Sequence, residues 1–371
     1  MRLVLLIPAL GAGGAERVMS LMANHWAGRG WDIRLLTLDD GARPPFFPLH
    51  EEVRHRPLGL LRDSANPVQA VWNNARRLLG LRAAIRAERP EAVISFLDTT
   101  NVLCLLATLG LGLPVVVSEH TNPERYWLKP IWHRLRRWVY PLAHRVVVLT
   151  PRTMEFFPVS LRPKLRVVPN PVVPSAVGGR VDIPLPAGRL IVALGRLVES
   201  KGFDLLLEAF ARLGPRYPDW SLLILGEGPA RAGLEALRGR LGLDGRVGLP
   251  GWVSRPETVL GRADLFVLSS RFEGFPMALC EAMAAGVAVV AADCPTGPRE
   301  IVRDGVDGLL VPAEDAAALA VAMERLMADG EERRRCAARA VEVVERFGMD
   351  RIMALWEAAL EGCGGLPRTG L

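Results

Sequence analysis

At 371 residues the chain is longer than one hydrophobic core usually supports, so two domains of ordinary size are expected. Half of the residues are hydrophobic, but no apolar run approaches the ~20 residues needed to cross a bilayer, which excludes a transmembrane helix as the membrane link. The net charge of +6 is uneven, because residues 1–175 hold 23 Lys and Arg against 13 Asp and Glu, and the remainder holds 23 against 27. The basic first half predicts a surface that faces anionic lipid, polyphosphate or nucleic acid.

Apolar runs alternate with helical patterns along both halves of the chain. The short N-terminal run is predicted to be a strand and not a signal peptide, because glycines and an amphipathic helix follow it. Continuous apolar strands separated by helices indicate parallel sheets covered on both faces, so the predicted class is α/β with two doubly wound domains. The predicted strands are RLVLLIP, DIRLLTL, AVISFL, PVVVSEH and RVVVLT in the first half and RLIVALG, SLLILG, RVGLPG, DLFVLSS, VAVVAAD and GLLVP in the second.

The boundary between the domains is predicted near residues 167–188, a stretch rich in Pro and Gly. In such folds ligands bind at the carboxyl ends of strands, here in the cleft between the domains. The five cysteines are odd in number and scattered without a C-x-x-C pair, which indicates a reducing cytoplasm with neither a disulfide framework nor a zinc site.

Two glutamates lie in the stretch SSRFEGFPMALCEAMAAG, residues 269–286. Glu273 precedes Pro276, which suits the first turn of a helix, and Glu281 falls within that helix among apolar neighbours. A buried carboxylate needs hydrogen-bond donors, and the hydroxyl groups of a sugar would supply them. The alternative is structural: Glu273 complements a helix dipole, and Glu281 bonds a neighbouring backbone group or arginine.

A loop with two cations lies in the stretch VALGRLVESKGF, residues 192–203. A strand ends at Gly195, Arg196 and Lys201 follow, and a helix opens at Gly202. Cations at the positive end of a helix, beside a glycine that lets the backbone approach, form a phosphate-binding arrangement. Two further turns, GEGP at 226–229 and NPVV at 170–173, are weaker signals, because Gly and Pro occur in any loop between strand and helix.

Taken in chain order, these motifs resemble those of the retaining glycosyltransferases of family four, which have the GT-B fold. The segments GGAERV (13–18), SFLDTTN (95–101) and SEHTNP (118–123) resemble, more narrowly, bacterial enzymes that add N-acetylgalactosamine to polyprenyl-diphosphate-linked oligosaccharides. The resemblance implies two Rossmann-like domains that face a central cleft. It implies an acceptor-binding, membrane-facing domain over 1–175, a nucleotide-sugar domain over 176–350, and a C-terminal helix over 351–371 that returns to the first domain.

The resemblance also implies roles for individual residues. Arg196 and Lys201 are expected to bind the donor diphosphate, Glu273 the hydroxyls of the donor sugar, and Glu281 the ribose. Backbone groups at the start of the glutamate helix are placed to help hold the diphosphate. The expected donor-binding residues are Gly13, Gly14, Gly195, Arg196, Lys201, Gly226, Gly274, Phe275, Pro276 and Glu281, and the expected catalytic residues are His120, Arg196, Lys201 and Glu273.

The acceptor is expected to bind the first half. His120 ends a predicted strand and is expected to position the sugar or the acceptor, although a histidine at a strand end is often a packed or capping residue. The stretch 125–145 interleaves Arg and Lys with Trp, which suits a membrane headgroup layer or the diphosphate of a polyprenyl acceptor. The alternative is a solvated basic face with its tryptophans packed inward. The expected acceptor-binding residues are Asp98, Glu119, Arg134, Arg136 and Arg137.

The sequence contains no D-x-D triplet, the usual carboxylate arrangement for a diphosphate-bound metal. We therefore expect metal-independent, cofactor-free transfer. The resemblance implies that the transferred group is an N-acetylhexosamine such as N-acetylgalactosamine, moved from a UDP-sugar to a lipid-linked glycan for a cell-surface polysaccharide or glycoprotein. By resemblance, the acceptor hydroxyl attacks on the face that the diphosphate leaves, with retention. The expected location is cytoplasmic, at the inner face of the cytoplasmic membrane.

Two other functions remain open from the sequence. A nicotinamide-dependent Rossmann enzyme would explain the G-A-G-G turn and the acidic pair Asp39 and Asp40, although the full G-x-G-x-x-G is absent. A non-catalytic sugar-nucleotide-binding protein would show affinity without turnover. Nucleic acid is not expected as a partner, because the basic stretch carries no nucleic-acid motif.

Overall fold

The computed structural model describes residues 1–61, 65–121, 130–174 and 178–363, and the chain divides into two units. Unit 1 comprises Met1–Pro171 and the C-terminal segment from Asp350, and unit 2 comprises Val172–Met349. The chain first passes from unit 1 to unit 2 between Pro171 and Val172, within the Pro- and Gly-rich stretch 167–188. No helix within the described ranges is both long and apolar enough to span a bilayer.

Unit 1 is built on a parallel sheet. Its strands are β1 (Arg2–Ile7), β2 (Asp32–Thr37), β3 (Arg54–Pro57), β4 (Ala92–Phe96), β5 (Val115–Glu119), β6 (Arg145–Val148) and β7 (Leu165–Val167). Their order across the sheet is β3-β2-β1-β4-β5-β6-β7. All residues of β4 and β5 are buried, as expected for strands covered on both faces. The two edge strands were not predicted, because RHRP has no apolar face and β7 is only three residues long.

Helices connect the strands of unit 1. They are α1 (Gly14–Gly28), α2 (Pro67–Glu88), α3 (Asp98–Ala107), α4 (Pro130–Val139) and α5 (Pro151–Glu155), with 3-10 turns at Tyr140–Leu142 and Val159–Lys164. Helix α3 contacts both α2 and α4. The three helices are therefore neighbours in unit 1.

Unit 2 repeats this architecture with all six of its predicted strands. The strands are β8 (Arg189–Leu194), β9 (Trp220–Leu225), β10 (Val247–Gly251), β11 (Leu265–Leu268), β12 (Ala288–Asp293) and β13 (Leu309–Pro312), in the order β10-β9-β8-β11-β12-β13. The helices are α6 (Phe203–Leu213), α7 (Arg231–Arg240), α8 (Pro256–Leu260), α9 (Met277–Ala284), α10 (Pro298–Ile301), α11 (Ala316–Ala328), α12 (Gly330–Ala340) and α13 (Val343–Arg346), with 3-10 turns at Glu199–Lys201 and Gly214–Arg216. The predicted α/β class with two doubly wound parallel sheets is confirmed.

The last helix, α14 (Met349–Ala359), packs on unit 1. Trp356 is buried and stacks on Phe96 of β4 with ring centroids 5.8 Å apart. Glu357 Oε1 accepts a hydrogen bond from Trp26 Nε1 of α1 at 3.2 Å. The C-terminal segment thus covers one face of the first sheet, and the final eight residues of the predicted segment 351–371 lie outside the described ranges.

Candidate active site

The loops that carry Arg196, Lys201 and Glu273 lie next to each other where the strand order of unit 2 reverses. The chain runs outward from β8 through β9 to β10 and then returns to β11 on the other side of β8. At such a switch point two loops diverge and leave a crevice at the carboxyl ends of the strands. The loop after β8 carries Arg196 and Lys201, and the loop after β11 carries Glu273.

Lys201 and Glu273 form an ion pair across these two loops. Lys201 Nζ donates to Glu273 Oε1 at 2.6 Å, and Ser270 Oγ donates to the same oxygen at 2.7 Å. The Glu273 carboxylate is nearly buried, and the lysine side chain is one quarter exposed. Thr296 Oγ1 donates to the Glu273 carbonyl and so fixes the backbone as well. Within the described residues nothing donates to Glu273 Oε2, so the carboxylate is oriented but has acceptor capacity left.

Two glycines allow the loops to come this close. Gly202 has φ +61°, and a Cβ there would lie 2.1 Å from the carbonyl oxygen of Ser269. Gly226 has φ +137°, and its Cβ would lie 2.0 Å from the carbonyl oxygen of Gly195. Any other residue at these positions would strain the backbone and push the loops apart. The predicted site glycines Gly195 and Gly226 thus touch each other at the carboxyl ends of β8 and β9.

Arg196 differs from Lys201 in its surroundings. Its side chain is exposed, and no carboxylate of the described part of the chain pairs with it. A guanidinium that is not neutralised by the protein can bind an oxyanion with charge-assisted hydrogen bonds. The loop after β8 therefore offers one solvated cation and one cation already oriented by a carboxylate.

The loop from Gly274 to Pro276 leads into α9. Pro276 is the N-cap residue, so the helix begins one residue later than predicted. Phe275 is buried and packs edge-on against Phe347, with the ring centroids 5.3 Å apart, so its side chain anchors the loop to the core of unit 2. The expectation that Glu281 is a buried carboxylate is corrected, because this residue is only half-buried on α9.

A buried polar network lies at the carboxyl ends of β4 and β5 in unit 1. Tyr140 donates its hydroxyl hydrogen to Glu119 Oε1, and Asn101 Nδ2 donates to the Tyr140 oxygen at 3.2 Å. Arg136 Nη1 of α4 lies 3.7 Å from Glu119 Oε1. Burial raises the pKa of Glu119 to about 7, and Arg136 and Tyr140 oppose that rise. Glu119 therefore holds α4 to the sheet and is not accessible to an acceptor.

His120 and Asp98 lie beside this network. His120 Nε2 is 3.1 Å from Ser118 Oγ, and its ring packs on Phe96 at 4.1 Å. Burial lowers the pKa of His120, so its imidazole is neutral at physiological pH. Its Nδ1 has no hydrogen-bond partner among the described residues, and neither has Asp98 Oδ2. These two atoms retain hydrogen-bonding capacity at the end of the sheet where an acceptor is expected.

The arginines of α4 separate into two groups. Arg134 and Arg137 are exposed, whereas Arg136 is buried and lies over the Phe156 ring at 5.2 Å. The predicted grouping of Arg136 with a membrane-facing or acceptor-facing surface is therefore corrected. Trp138 is 79% exposed, so inward packing does not account for that tryptophan. The predicted basic residues at 125 and 129 lie outside the described residues.

Sequence reasoning missed a carboxylate at the start of α1. Gly13 and Gly14 are both exposed, Gly13 as the N-cap residue of α1 and Gly14 as the first residue of that helix. The Glu16 carboxylate folds back over Gly13, where a Cβ would lie 2.2 Å from Glu16 Oε2. Burial raises the pKa of Glu16. The helix N-terminus beside Gly13 is therefore occupied by the chain's own carboxylate.

Among the described residues no group of three or more His, Cys, Asp or Glu side chains has an arrangement that could hold a metal ion.

Comparisons with known proteins match each unit separately. Residues 184–343 match the family of glycosyl transferases group 1, and residues 13–172 match the glycosyl transferase 4-like domain. An exopolysaccharide phosphotransferase of Streptomyces coelicolor is 34% identical over 93% of the chain, but the chain spans only 39% of that protein.

Two full-length similarities agree with the family matches. GalNAc-alpha-(1->4)-GalNAc-alpha-(1->3)-diNAcBac-PP-undecaprenol alpha-1,4-N-acetyl-D-galactosaminyltransferase of Campylobacter jejuni is 28% identical, over 96% of the chain and 97% of that protein. The crystal structure of Anabaena HepE with UDP and glucose superposes with a TM-score of 0.81 over 98% of the chain and 100% of that protein, at 19% identity. The structural match at this identity establishes the fold.

Proposed function

The chain belongs to the glycosyltransferases that act in polysaccharide and lipid-linked glycan synthesis, and on that premise we propose that it moves an N-acetylhexosamine from a UDP-sugar to a polyprenyl-diphosphate-linked glycan. The Campylobacter relative is named for the transfer of N-acetylgalactosamine to an undecaprenyl-diphosphate glycan. That name supports the sugar and acceptor classes proposed for this chain.

The contact between Lys201 and Glu273 carries the proposal. An ammonium group has three donors, and one of them is directed to Glu273 at 2.6 Å. The remaining donors, with the guanidinium of Arg196, suit the oxygens of a diphosphate. Glu273, oriented by Lys201 and Ser270, would then accept from a hydroxyl of the sugar attached to that diphosphate. One side chain would neutralise the leaving group while its partner holds the sugar being transferred.

The proposed chemistry retains the configuration of the donor sugar. The bond between the anomeric carbon and the diphosphate oxygen breaks, and the acceptor hydroxyl forms the new glycosidic bond on the same face. The hydroxyl proton passes to a phosphate oxygen of the departing UDP, so no protein base is required. Cations already in place stabilise the charge that develops on the diphosphate, which is the role that a metal ion has in other transferases. We therefore propose that catalysis does not require a metal ion.

Unit 1 is proposed to receive the acceptor at the membrane surface. On α4 the exposed side chains include Ile131, Arg134, Arg137 and Trp138, which combine cations with apolar groups. Helix α2, which contacts α3, adds a second set of exposed side chains. Its exposed apolar side chains, each 67–80% exposed, are Val68, Val71, Trp72 and Leu79. Arginine with exposed tryptophan suits the headgroup region of an anionic cytoplasmic leaflet.

A transfer assay tests the proposal. The purified chain is incubated, in EDTA, with separate UDP-sugars and a short polyprenyl-diphosphate-linked glycan, and UDP release and acceptor mass are followed. We expect acceptor-dependent UDP release with one N-acetylhexosamine donor and an α-linked product. Lys201→Ala serves as the inactive control. Donor binding without turnover on lipid-linked glycans would favour a sugar-nucleotide-binding protein, and a requirement for divalent metal would reject the metal-independent step.

A further inference from the structure

Arg271 joins the two loops that carry the candidate donor-binding residues. It lies two residues before Glu273 in the loop after β11. Its Nη1 donates to Asp204 Oδ1 at 2.8 Å and to the Glu199 carbonyl at 2.7 Å, and its Nη2 donates to Asp204 Oδ2 at 2.6 Å. Its backbone N–H donates to the Ser200 carbonyl at 2.8 Å. The side chain is 19% exposed, so water screens these contacts only in part.

These contacts are made on both sides of Lys201. The 3-10 turn Glu199–Lys201 is held through two of its carbonyls, and the first turn of α6 is held through Asp204. Gly202, between them, lies against the Ser269 carbonyl, and Ser269 Oγ donates to the Lys201 carbonyl at 2.9 Å. The backbone of Lys201 is thus fixed relative to the loop of Glu273.

The same contacts set the charge beside the candidate diphosphate site. Asp204 lies in the first turn of α6, where a carboxylate is stabilised by the helix dipole but would repel an incoming anion. The bidentate bond from Arg271 lowers the pKa of Asp204, which keeps it ionised and paired. Glu314 Oε2 lies 4.0 Å from Arg271 Nε and is half-exposed. Arg271 therefore neutralises Asp204 as well as bridging the loops.

We propose that Arg271 is a positioning residue for the donor diphosphate, which holds Lys201 at hydrogen-bonding distance from Glu273 and cancels the charge of Asp204 at the start of α6. The inference rests on the proposed function, because it takes Lys201 and Glu273 as donor-binding residues. Arg271 acts through these residues and is not itself required to touch the substrate. A lysine could match its charge, but not its simultaneous contacts with a carboxylate and a carbonyl.

The test compares the affinity of four variants for UDP and for UMP by calorimetry. The variants are Arg271→Ala, Arg271→Lys, the double variant Arg271→Ala with Asp204→Asn, and Arg325→Ala as a matched control. Arg325 makes a bidentate pair with Glu332 in the same unit, at 2.9 and 2.6 Å, away from the candidate site. UMP lacks the second phosphate, so a loss confined to UDP reports on diphosphate binding, whereas a loosened fold would weaken both ligands.

We expect Arg271→Ala to weaken UDP binding by about tenfold or more, which is the size of effect expected when a charge-assisted contact is lost. We expect the same variant to weaken UMP binding by less than about threefold. We expect Arg271→Lys to recover less than half of the lost UDP affinity, and Arg325→Ala to bind as the wild type does. If Arg271→Ala fails to fold, Arg271→Lys carries the same comparison.

Two results would overturn the inference. One is an unchanged UDP affinity in both Arg271 variants. The other is complete recovery of UDP affinity in the double variant, because Arg271 would then act only by cancelling Asp204. Failure of the proposed function has a different signature: the wild-type chain itself would bind no UDP, and the donor assignment of Lys201 and Glu273 would be rejected together with the inference.

Discussion

Lys201 Nζ and Glu273 Oε1 lie 2.6 Å apart although 72 positions separate them in the sequence. The contact joins the loops of the two adjacent strands β8 and β11, so a parallel sheet that reverses its strand order is what brings them together. A carboxylate next to the cation limits the charge that the lysine presents to a diphosphate, but it also fixes where the ammonium group points. In the proposed function the pair would give up some electrostatic attraction to the diphosphate in return for a fixed orientation, which would favour transfer over tight ground-state binding.

Lys201→Ala should lower kcat/KM by about two orders of magnitude or more, because the group proposed to neutralise the leaving diphosphate is lost. Glu273→Gln should lower kcat/KM by a similar amount through loss of the proposed contact with the donor sugar. Since the two residues act as a unit, the double variant should be less impaired than the product of the single effects. Steady-state transfer assays and thermal melts of all three proteins measure this. Fully multiplicative effects would show that the pair does not cooperate.

Gly202→Ala should weaken UDP binding and lower the unfolding free energy by more than about 1 kcal/mol. The reason is that position 202 has a positive φ and that a backbone carbonyl occupies the space that a Cβ would need. A Cβ at Gly202 would lie 2.1 Å from the Ser269 oxygen. Gly233→Ala is the matched control, since no atom lies within 4 Å of its Cβ on α7. The control should gain about 0.5–1 kcal/mol from helix propensity. Equal unfolding midpoints for the two variants would contradict this account.

The sequence predicted the parts of the site that depend on local pattern. The loop of Arg196 and Lys201 is recognisable because an apolar strand ends at Gly195 and a helix begins after Gly202. The six strands of unit 2 are recognisable because strands covered on both faces are continuously apolar. The edge strand β3 has neither property, since its RHRP segment is polar and pairs with only one neighbour.

Contacts between distant segments were not predictable in the same way. Arg134, Arg136 and Arg137 lie on one short helix, and composition does not show which of them faces Glu119. That depends on the rotation of α4, which is set by burial of Val139 and by the bond between Tyr140 and Glu119. The pairing of Arg271 with Asp204 likewise spans 67 positions and follows from the sheet order. The sequence shows the chemical groups of the site, and the tertiary fold determines which of them are already paired.

The stability of unit 1 should decrease as the pH rises from about 4.5 to about 7, and Glu119→Gln should remove that slope. Burial raises the pKa of Glu119 in the folded chain to about 7 from its ordinary value of 4.5. Between those values the folded chain binds a proton that the unfolded chain has lost, so a rise in pH favours unfolding. The total effect is up to about 3 kcal/mol, and it levels off above pH 7.

Urea unfolding at pH 5, 6, 7 and 8 measures that slope, and the difference between the wild type and Glu119→Gln isolates it from other titrating groups. Glu52→Gln, an exposed glutamate of the same unit, is the control and should follow the wild type. Parallel pH profiles for the wild type and Glu119→Gln would show that Glu119 is ionised throughout this range in the folded chain.

The membrane surface proposed for unit 1 should depend on the exposed arginines of α4. Arg134→Gln with Arg137→Gln should reduce binding to vesicles that contain anionic lipid by about tenfold or more at low salt, given about 1 kcal/mol per cation near the surface. High salt should abolish this difference, because it screens the charges. Trp72→Ala, which removes a side chain that is 71% exposed on α2, should weaken binding at both salt concentrations.

The control is Arg238→Gln with Arg325→Gln in unit 2, which removes the same number of positive charges and should leave vesicle binding unchanged. A loss of the same size in that control would assign vesicle binding to net charge and not to the surface formed by α2 and α4.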